Sequence, residues 1–148
     1  MKQVIKFKSP REHYDSGGSV FWCLDWRLKG LRDIFIKYLG IKHEDLVQIA
    51  GGAMVLRDLE NEGYRFLLAQ ALGSWKLHKT EIFHLAIHID CGAYKLAGLL
   101  KGNTDQKVFM EKEADIIRNN LVKGLRSNGC DSEVKIYVAD FNGLWEVK

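Results

Sequence analysis

The sequence lacks any long hydrophobic run. No uninterrupted apolar stretch among its 148 residues approaches the roughly 20 needed to cross a bilayer, so no membrane partner is expected. The opening stretch, MKQVIKFKSPRE, is charged and has no apolar core of the secretory kind, so a cytoplasmic location is expected. Cysteine is scarce. Cys23, Cys91 and Cys130 are odd in number and lack the spacing of a disulfide scaffold, which points to metal binding or catalysis rather than cross-linking. No charge of one sign prevails: 22 Lys and Arg face 19 Asp and Glu, for a net charge of +3. The basic residues are scattered, with no tract and no interleaved aromatic stripe, so nucleic acid is not an expected partner. Internal repeats and low-complexity segments are also absent. What remains is the composition of an ordinary globular protein, 47% apolar and 28% charged. The reading is one domain over residues 1–148, with 1–18 as a short N-terminal extension.

Hydrophobic periodicity gives the order of elements. Val4 to Phe7 reads as a short strand, and Pro10 to Gly18 as a loop. Ser19 to Leu24 reads as a buried strand. Leu28, Leu31, Ile34, Phe35, Tyr38 and Leu39 then form a helical stripe, with Gly40 placed as its C-terminal cap. Asp45 to Ala50 is a second strand, and Glu60 to Leu72 a second helix. A strand over Ile82 to Ile89 leads to a turn at Cys91-Gly92 and a short helix over Tyr94 to Leu100. Asn103 and Thr104 are capping residues for a longer helix to about Leu125; Ser127 to Gly129 is a turn, and Val134 to Ala139 the last strand. Strand and helix alternate about four times. The expected fold class is therefore α/β, a mostly parallel open β-sheet flanked by helices. In such sheets, sites form beyond the carboxyl ends of the strands, where strand order reverses.

Three segments with chemical potential fall at those ends. One is Cys23-Leu-Asp25-Trp-Arg27, one is Gly51-Gly52, and one is His88-Ile-Asp90-Cys91. Cys23, His88 and Cys91 form a soft three-ligand set. Zn2+ suits thiolate and imidazole, and a catalytic zinc keeps three protein ligands and one open position. Two thiolates and a neutral imidazole cancel the charge of the ion, so water at such a centre is acidified less than at three histidines. Chemistry there is expected to favour mildly alkaline pH. Asp25 either fills the fourth position or is held off it by a bidentate pair with Arg27. Arg27 also offers positive charge to a developing anion. Gly51-Gly52 would let the backbone approach a pocket closely, with Trp22, Trp26, Met54 and Tyr94 as apolar candidates for its walls. His84 reads as a core histidine, although its spacing to His88 would also suit a helical zinc pair. Asp90 reads as a turn residue and Cys130 as an ordinary thiol. A thiol-phosphatase role for Cys91 is excluded, because the phosphate loop needs arginine where Ala97 stands.

These residues resemble a family. Cys23-Leu-Asp25-Trp-Arg27 matches the Cys-x-Asp-x-Arg motif of the β-class carbonic anhydrases, and His88-Ile-Asp90-Cys91-Gly92-Ala93 matches their His-x-x-Cys-Gly-Ala motif. Ala50-Gly51-Gly52 stands where that family has an Ala-Gly step, and VKIYVADFNGLWEV resembles its last strand and following turn. The resemblance spans residues 19 to 148. It implies a zinc lyase interconverting carbon dioxide and bicarbonate through zinc-bound hydroxide. Cys23, His88 and Cys91 would be the ligands, Asp25 and Arg27 the catalytic dyad, and the chain a homodimer or higher homo-oligomer. The chain departs from the pattern in a short N-terminal region that does not read as helix, in Gln48-Ile49 where Arg-Asn is usual, and in Trp26 where a small residue is usual. Trp26 is expected to narrow the pocket. Two alternatives follow: a zinc hydrolase acting on carbonyl sulfide or carbon disulfide, and a zinc-held binding domain without turnover.

Overall fold

Four parallel strands carry the architecture. The computed structural model describes residues 2–102 and 105–148. The elements run β1 (Gly18–Cys23), α1 (Lys29–Leu39), β2 (Glu44–Ile49), α2 (Glu62–His78), β3 (Ile82–His88), α3 (Gly92–Leu96), α4 (Gln106–Arg126), β4 (Glu133–Ala139) and β5 (Leu144–Val147). Short 3-10 segments at Trp26–Leu28 and Gly52–Arg57 complete the order. The sheet order is β2-β1-β3-β4-β5. β1, β2, β3 and β4 are parallel, and β5 returns antiparallel along β4. This is the single α/β sheet that the alternation of elements predicts.

The chain runs outward from β1 to β2 and then crosses back to β3 on the other side of β1. Strand order therefore reverses between β1 and β3, and the carboxyl ends of both open at that point. Register aligns Phe21 with Leu85, and His88 with Ala139.

Alternate residues of each strand face opposite layers. Phe21, Leu85, Ile87, Ile136 and Val138 pack against Leu67 and Ala71 of α2 and against Met110, Ala114, Ile117 and Leu121 of α4. Val20, Trp22, Ala86, Tyr137 and Ala139 face the other way and are covered by Leu28 and Phe35. One carboxylate, Glu113, sits on the inner face of α4. It is buried and paired with Arg57, with bonds of 2.7 and 3.2 Å, and so ties α4 to the 3-10 segment that follows Gly52.

The structure corrects the sequence reading in five places. Val4 to Phe7 forms no strand: the segment has no ladder partner, and Val4, Ile5 and Phe7 are exposed. α2 runs past Leu72 to His78, where Lys79 adopts a left-handed conformation and ends it. The short helix spans Gly92–Leu96 rather than Tyr94 to Leu100. Asn103 and Thr104 lie outside the described residues, and Asp105 is the cap, accepting from the N–H groups of Lys107 and Val108. The stretch after β4 is a turn plus a further strand, β5, too short to announce itself by alternation. Among the described residues, no helix is long and apolar enough to cross a membrane.

His84 is a core residue. It is 4% exposed, lies 3.2 Å from the Tyr137 hydroxyl through Nδ1, and packs edge-on against Phe35. It stands four residues before His88 on an extended strand, about 13 Å away along the chain. A helical histidine pair is thereby excluded. Burial, with Lys135 nearby, pushes the imidazole down to about 4. The unfolded chain takes up this proton near pH ~6.5 and the fold only near 4. Between those values the unfolded state binds more protons. The stability contributed is complete above pH ~6.5 and is lost as pH falls toward 4. Urea unfolding of the native chain should lose about 2 kcal/mol from this residue between pH 7 and pH 4.5, and a His84→Gln variant should show a correspondingly shallower dependence.

Candidate metal centre

Two strand ends and one tight turn build the site. β1 stops at Cys23, and the Leu24 N–H still donates to the Ile49 carbonyl at 3.0 Å, so the chain leaves the sheet only beyond that bond. Asp25 then caps the 3-10 turn, accepting from the Arg27 N–H at 3.0 Å. β3 stops at His88, and the Ile89 N–H donates to the Ala139 carbonyl at 3.1 Å. Asp90 follows with φ of 55°, a left-handed turn that carries the chain back so that Cys91 becomes the N-cap of α3.

The result is a buried group. The ligand atoms of Cys23, His88 and Cys91 lie within 4.8 Å of one another. The Nδ1–H of His88 donates to its neighbour's carbonyl, on Ile89, at 2.7 Å. A carbonyl can only accept, so Nε2 carries the lone pair. That Nε2 is buried and has no hydrogen-bond partner among the described residues. The Cys23 thiol is pulled well below the ordinary thiol range, first by the hydrogen bond from Cys91 and then by the Asp25 N–H, against the opposing effect of burial. Cys91 is pushed up, first because its thiol donates to Cys23 and then by burial, with the charge on Cys23 adding to both. A divalent cation relieves both conditions: it compensates two thiolates and takes the imidazole lone pair. The donor set fits a soft or borderline metal.

Beside this group lies the Asp25–Arg27 pair. Arg27 Nε donates to the two Asp25 oxygens at 3.0 and 3.1 Å, and Nη2 donates to Oδ2 at 2.6 Å. The guanidinium holds the Asp25 carboxyl down to about 2. Asp25 is not among the clustered ligand atoms; its carboxylate is turned to Arg27. Arg27 is engaged further. Nη1 donates to Asp90 at 2.9 Å, and the Phe141 ring covers the guanidinium at 5.1 Å. Lys95 pairs with the other oxygen of Asp90. Sequence reasoning treated Asp90 as a turn residue and missed Lys95 and Phe141 altogether. Asp90 could have been found from its place between two ligands, whereas nothing in the spacing marks Phe141.

The remaining candidates are placed as follows. A Cβ on Gly52 would stand 2.5 Å from the Ala86 carbonyl oxygen and 3.0 Å from the Cys23 nitrogen. Gly52 thus lets the 3-10 segment press against the backbone under Cys23. Gly51 stands near Met54 and Ala93. Trp26 is 81% exposed and turned outward, so it does not narrow the space beside the ligands. Trp22, Leu28, Ala86, Ile87 and Ala139 pack closely beside Cys23 and His88 there. Tyr94 is fully buried against Phe109. Gln48 receives Arg32 at 2.9 Å and donates to the Cys23 carbonyl at 3.3 Å. Cys130 is buried apart from the cluster, 3.2 Å from the Ser132 hydroxyl.

Gly52 has φ of 59° and no room for a side chain, whereas Gly40 has φ of 68° and open space around it. Gly40→Ala should therefore cost about 1 kcal/mol, the price of the left-handed backbone alone. Gly52→Ala should cost about 3 kcal/mol, because backbone must also shift. Denaturant midpoints of the two variants check the difference.

No family model and no curated protein sequence matches the chain. Solved structures do. The carbonic anhydrase of Streptococcus mutans is 18% identical with a TM-score of 0.54, the alignment covering 92% of this chain and 84% of that one. A structure of the tetrameric β-carbonic anhydrases of Sordaria macrospora is 12% identical with a TM-score of 0.57, over 90% of this chain and 81% of that one. The β-carbonic anhydrase CcaA is 11% identical with a TM-score of 0.61, over 89% and 79%. At such identities the likeness is one of fold. The chain has the fold of the β-class carbonic anhydrases.

Proposed function

We propose that this chain is a zinc-dependent carbonic anhydrase that interconverts carbon dioxide and water with bicarbonate and a proton. The observation that carries this reading is the juxtaposition of a buried Cys23-His88-Cys91 group with an ionised Asp25 clamped by Arg27, at the reversal point of a parallel sheet. Cys23, His88 and Cys91 would hold the ion, which when bound supplies Lewis acidity and lowers the pKa of water.

The chain's own residues do the rest. The Ile89 carbonyl fixes the His88 tautomer and so aims Nε2 at the thiols. Asp25 remains ionised above about pH 3, because Arg27 holds its carboxyl near 2. As a pure acceptor it takes a hydrogen bond from water at the site and orients it. Arg27 turns Nε and Nη2 to Asp25 and Nη1 to Asp90, so it serves as a clamp on Asp25. Trp22, Leu28, Ala86, Ile87 and Ala139 surround His88 and Cys23 with apolar side chains and so lower the local polarity around the group.

A homo-oligomer belongs to this reading. Ile34 and Tyr38 are exposed on α1, and they flank a groove of Leu31, Phe35, Tyr137 and Leu144. Exposed apolar surface of this kind marks association between chains.

Elemental analysis should find one zinc per chain, and Cys91→Ser should abolish it. Stopped-flow hydration of carbon dioxide should rise from neutral to mildly alkaline pH. Arg27→Ala should retain the zinc and lower kcat by about a hundredfold, since Asp25 loses its orientation. Bound zinc with turnover of carbonyl sulfide or carbon disulfide but not carbon dioxide would replace this reading. Bound zinc with no turnover of any of them would make the domain a binding module.

A further inference from the structure

The charged groups around Arg27 extend past the pair the sequence motif names. Asp90 comes from the other strand end, two residues after His88 and one before Cys91. Every polar group it has is engaged. Its N–H donates to Gln106 Oε1 at 2.6 Å, and its carbonyl accepts from Arg27 Nη2 at 3.4 Å. One carboxylate oxygen accepts from Arg27 Nη1 at 2.9 Å, and the other from Lys95. Its backbone is left-handed, with φ of 55°, which a glycine would adopt at less cost.

Arg27 needs such a partner. Its side chain is 46% exposed, and its bond to Asp25 joins two residues of one short turn. An exposed pair of that kind is weak by itself, because two mobile side chains must be held in one geometry. The second carboxylate approaches the far end of the guanidinium from a separate chain segment. Phe141, from the turn before β5, covers the ring-like face of the cation. Three segments thereby converge on one side chain. Lys95 offsets the second negative charge of Asp90, so that Asp25, Arg27, Asp90 and Lys95 form an alternating row of two anions and two cations.

The geometry points to Asp90 as a positioning residue. It holds the Nη1 end of Arg27, so that the Nε and Nη2 end keeps the Asp25 carboxylate in one orientation beside the metal group. The effect on turnover rests on the function proposed above; the clamp itself does not. The structural cost of Asp90 and its role are separable, because Asp90→Gly removes the carboxylate while relieving the backbone.

The test uses the full chain labelled with 15N, metal-free and zinc-loaded. The Arg27 Nε–H resonance is assigned by its loss in Arg27→Lys. In the native chain its exchange with solvent should be slow. Asp90→Asn and Asp90→Gly should accelerate it at least about tenfold in both forms, with the Asp90→Gly melting temperature no lower than native. In the zinc-loaded enzyme the same variants should keep one zinc per chain and lose about tenfold in kcat, with KM changed less than about twofold. Unchanged exchange in both variants overturns the clamp. Accelerated exchange with undiminished turnover overturns the positioning role. A native chain that binds zinc and turns over nothing would sink the proposed function, while the exchange measurement on metal-free protein still decides whether Asp90 holds Arg27.

Discussion

The parallel pairing of β1 with β3 is the constraint on which the site depends. Parallel neighbours end on the same edge of a sheet. Because the pairing aligns Phe21 with Leu85, Cys23 and His88 arrive together at that edge. A slip by one residue would turn every side chain of one strand to the wrong face and separate the ligands. The buried aromatic and aliphatic residues on both faces oppose such a slip. Phe21, Leu85 and Ile87 on one side and Trp22 and Ala86 on the other must each find their own layer.

Electrostatic compensation governs the rest of the site. A buried thiol pair gives up its first proton readily and resists the second. That resistance is the physical counterpart of an affinity for a doubly charged ion. The adjoining row of Asp25, Arg27, Asp90 and Lys95 alternates in sign. The row is nearly neutral in sum, yet it keeps one carboxylate ionised and fixed in direction. Neutrality matters here, since an uncompensated anion beside two thiolates would oppose their ionisation.

Support for the site comes from backbone more than from side chains. Gly52 lets the 3-10 segment lie against β1 and β3 at a distance no other residue permits. That segment is tied in turn to α4 through Arg57 and Glu113, and through Asn120, whose Nδ2 donates to the carbonyls of Leu56 and Arg57 at 2.9 and 3.1 Å. A long helix on the same face of the sheet thus steadies the loop beneath Cys23.

Local patterning was enough to determine the α/β class, the four parallel strands within a residue or so, and the two clusters at strand ends. Apolar runs of fixed length, the Gly40 cap and the Cys23-x-Asp25-x-Arg27 and His88-x-x-Cys91 spacings are all local signals, readable without knowing what packs where. The end of α2 was not legible, because His78 lies beyond the clear stripe and Lys79 ends the helix without a glycine. Nor was β5, which has four residues and takes its identity from β4. The outward turn of Trp26 and the burial of Tyr94 likewise depend on neighbours distant in the chain. The clearest case is Arg27. Its pairing with Asp25 could be anticipated from two residues in sequence, whereas Asp90 and Phe141, 63 and 114 positions away, reach it only because the sheet brings the ends of β3 and β4 to the end of β1. Contacts between residues far apart in sequence are set by register and layer, and those exist only in the folded chain.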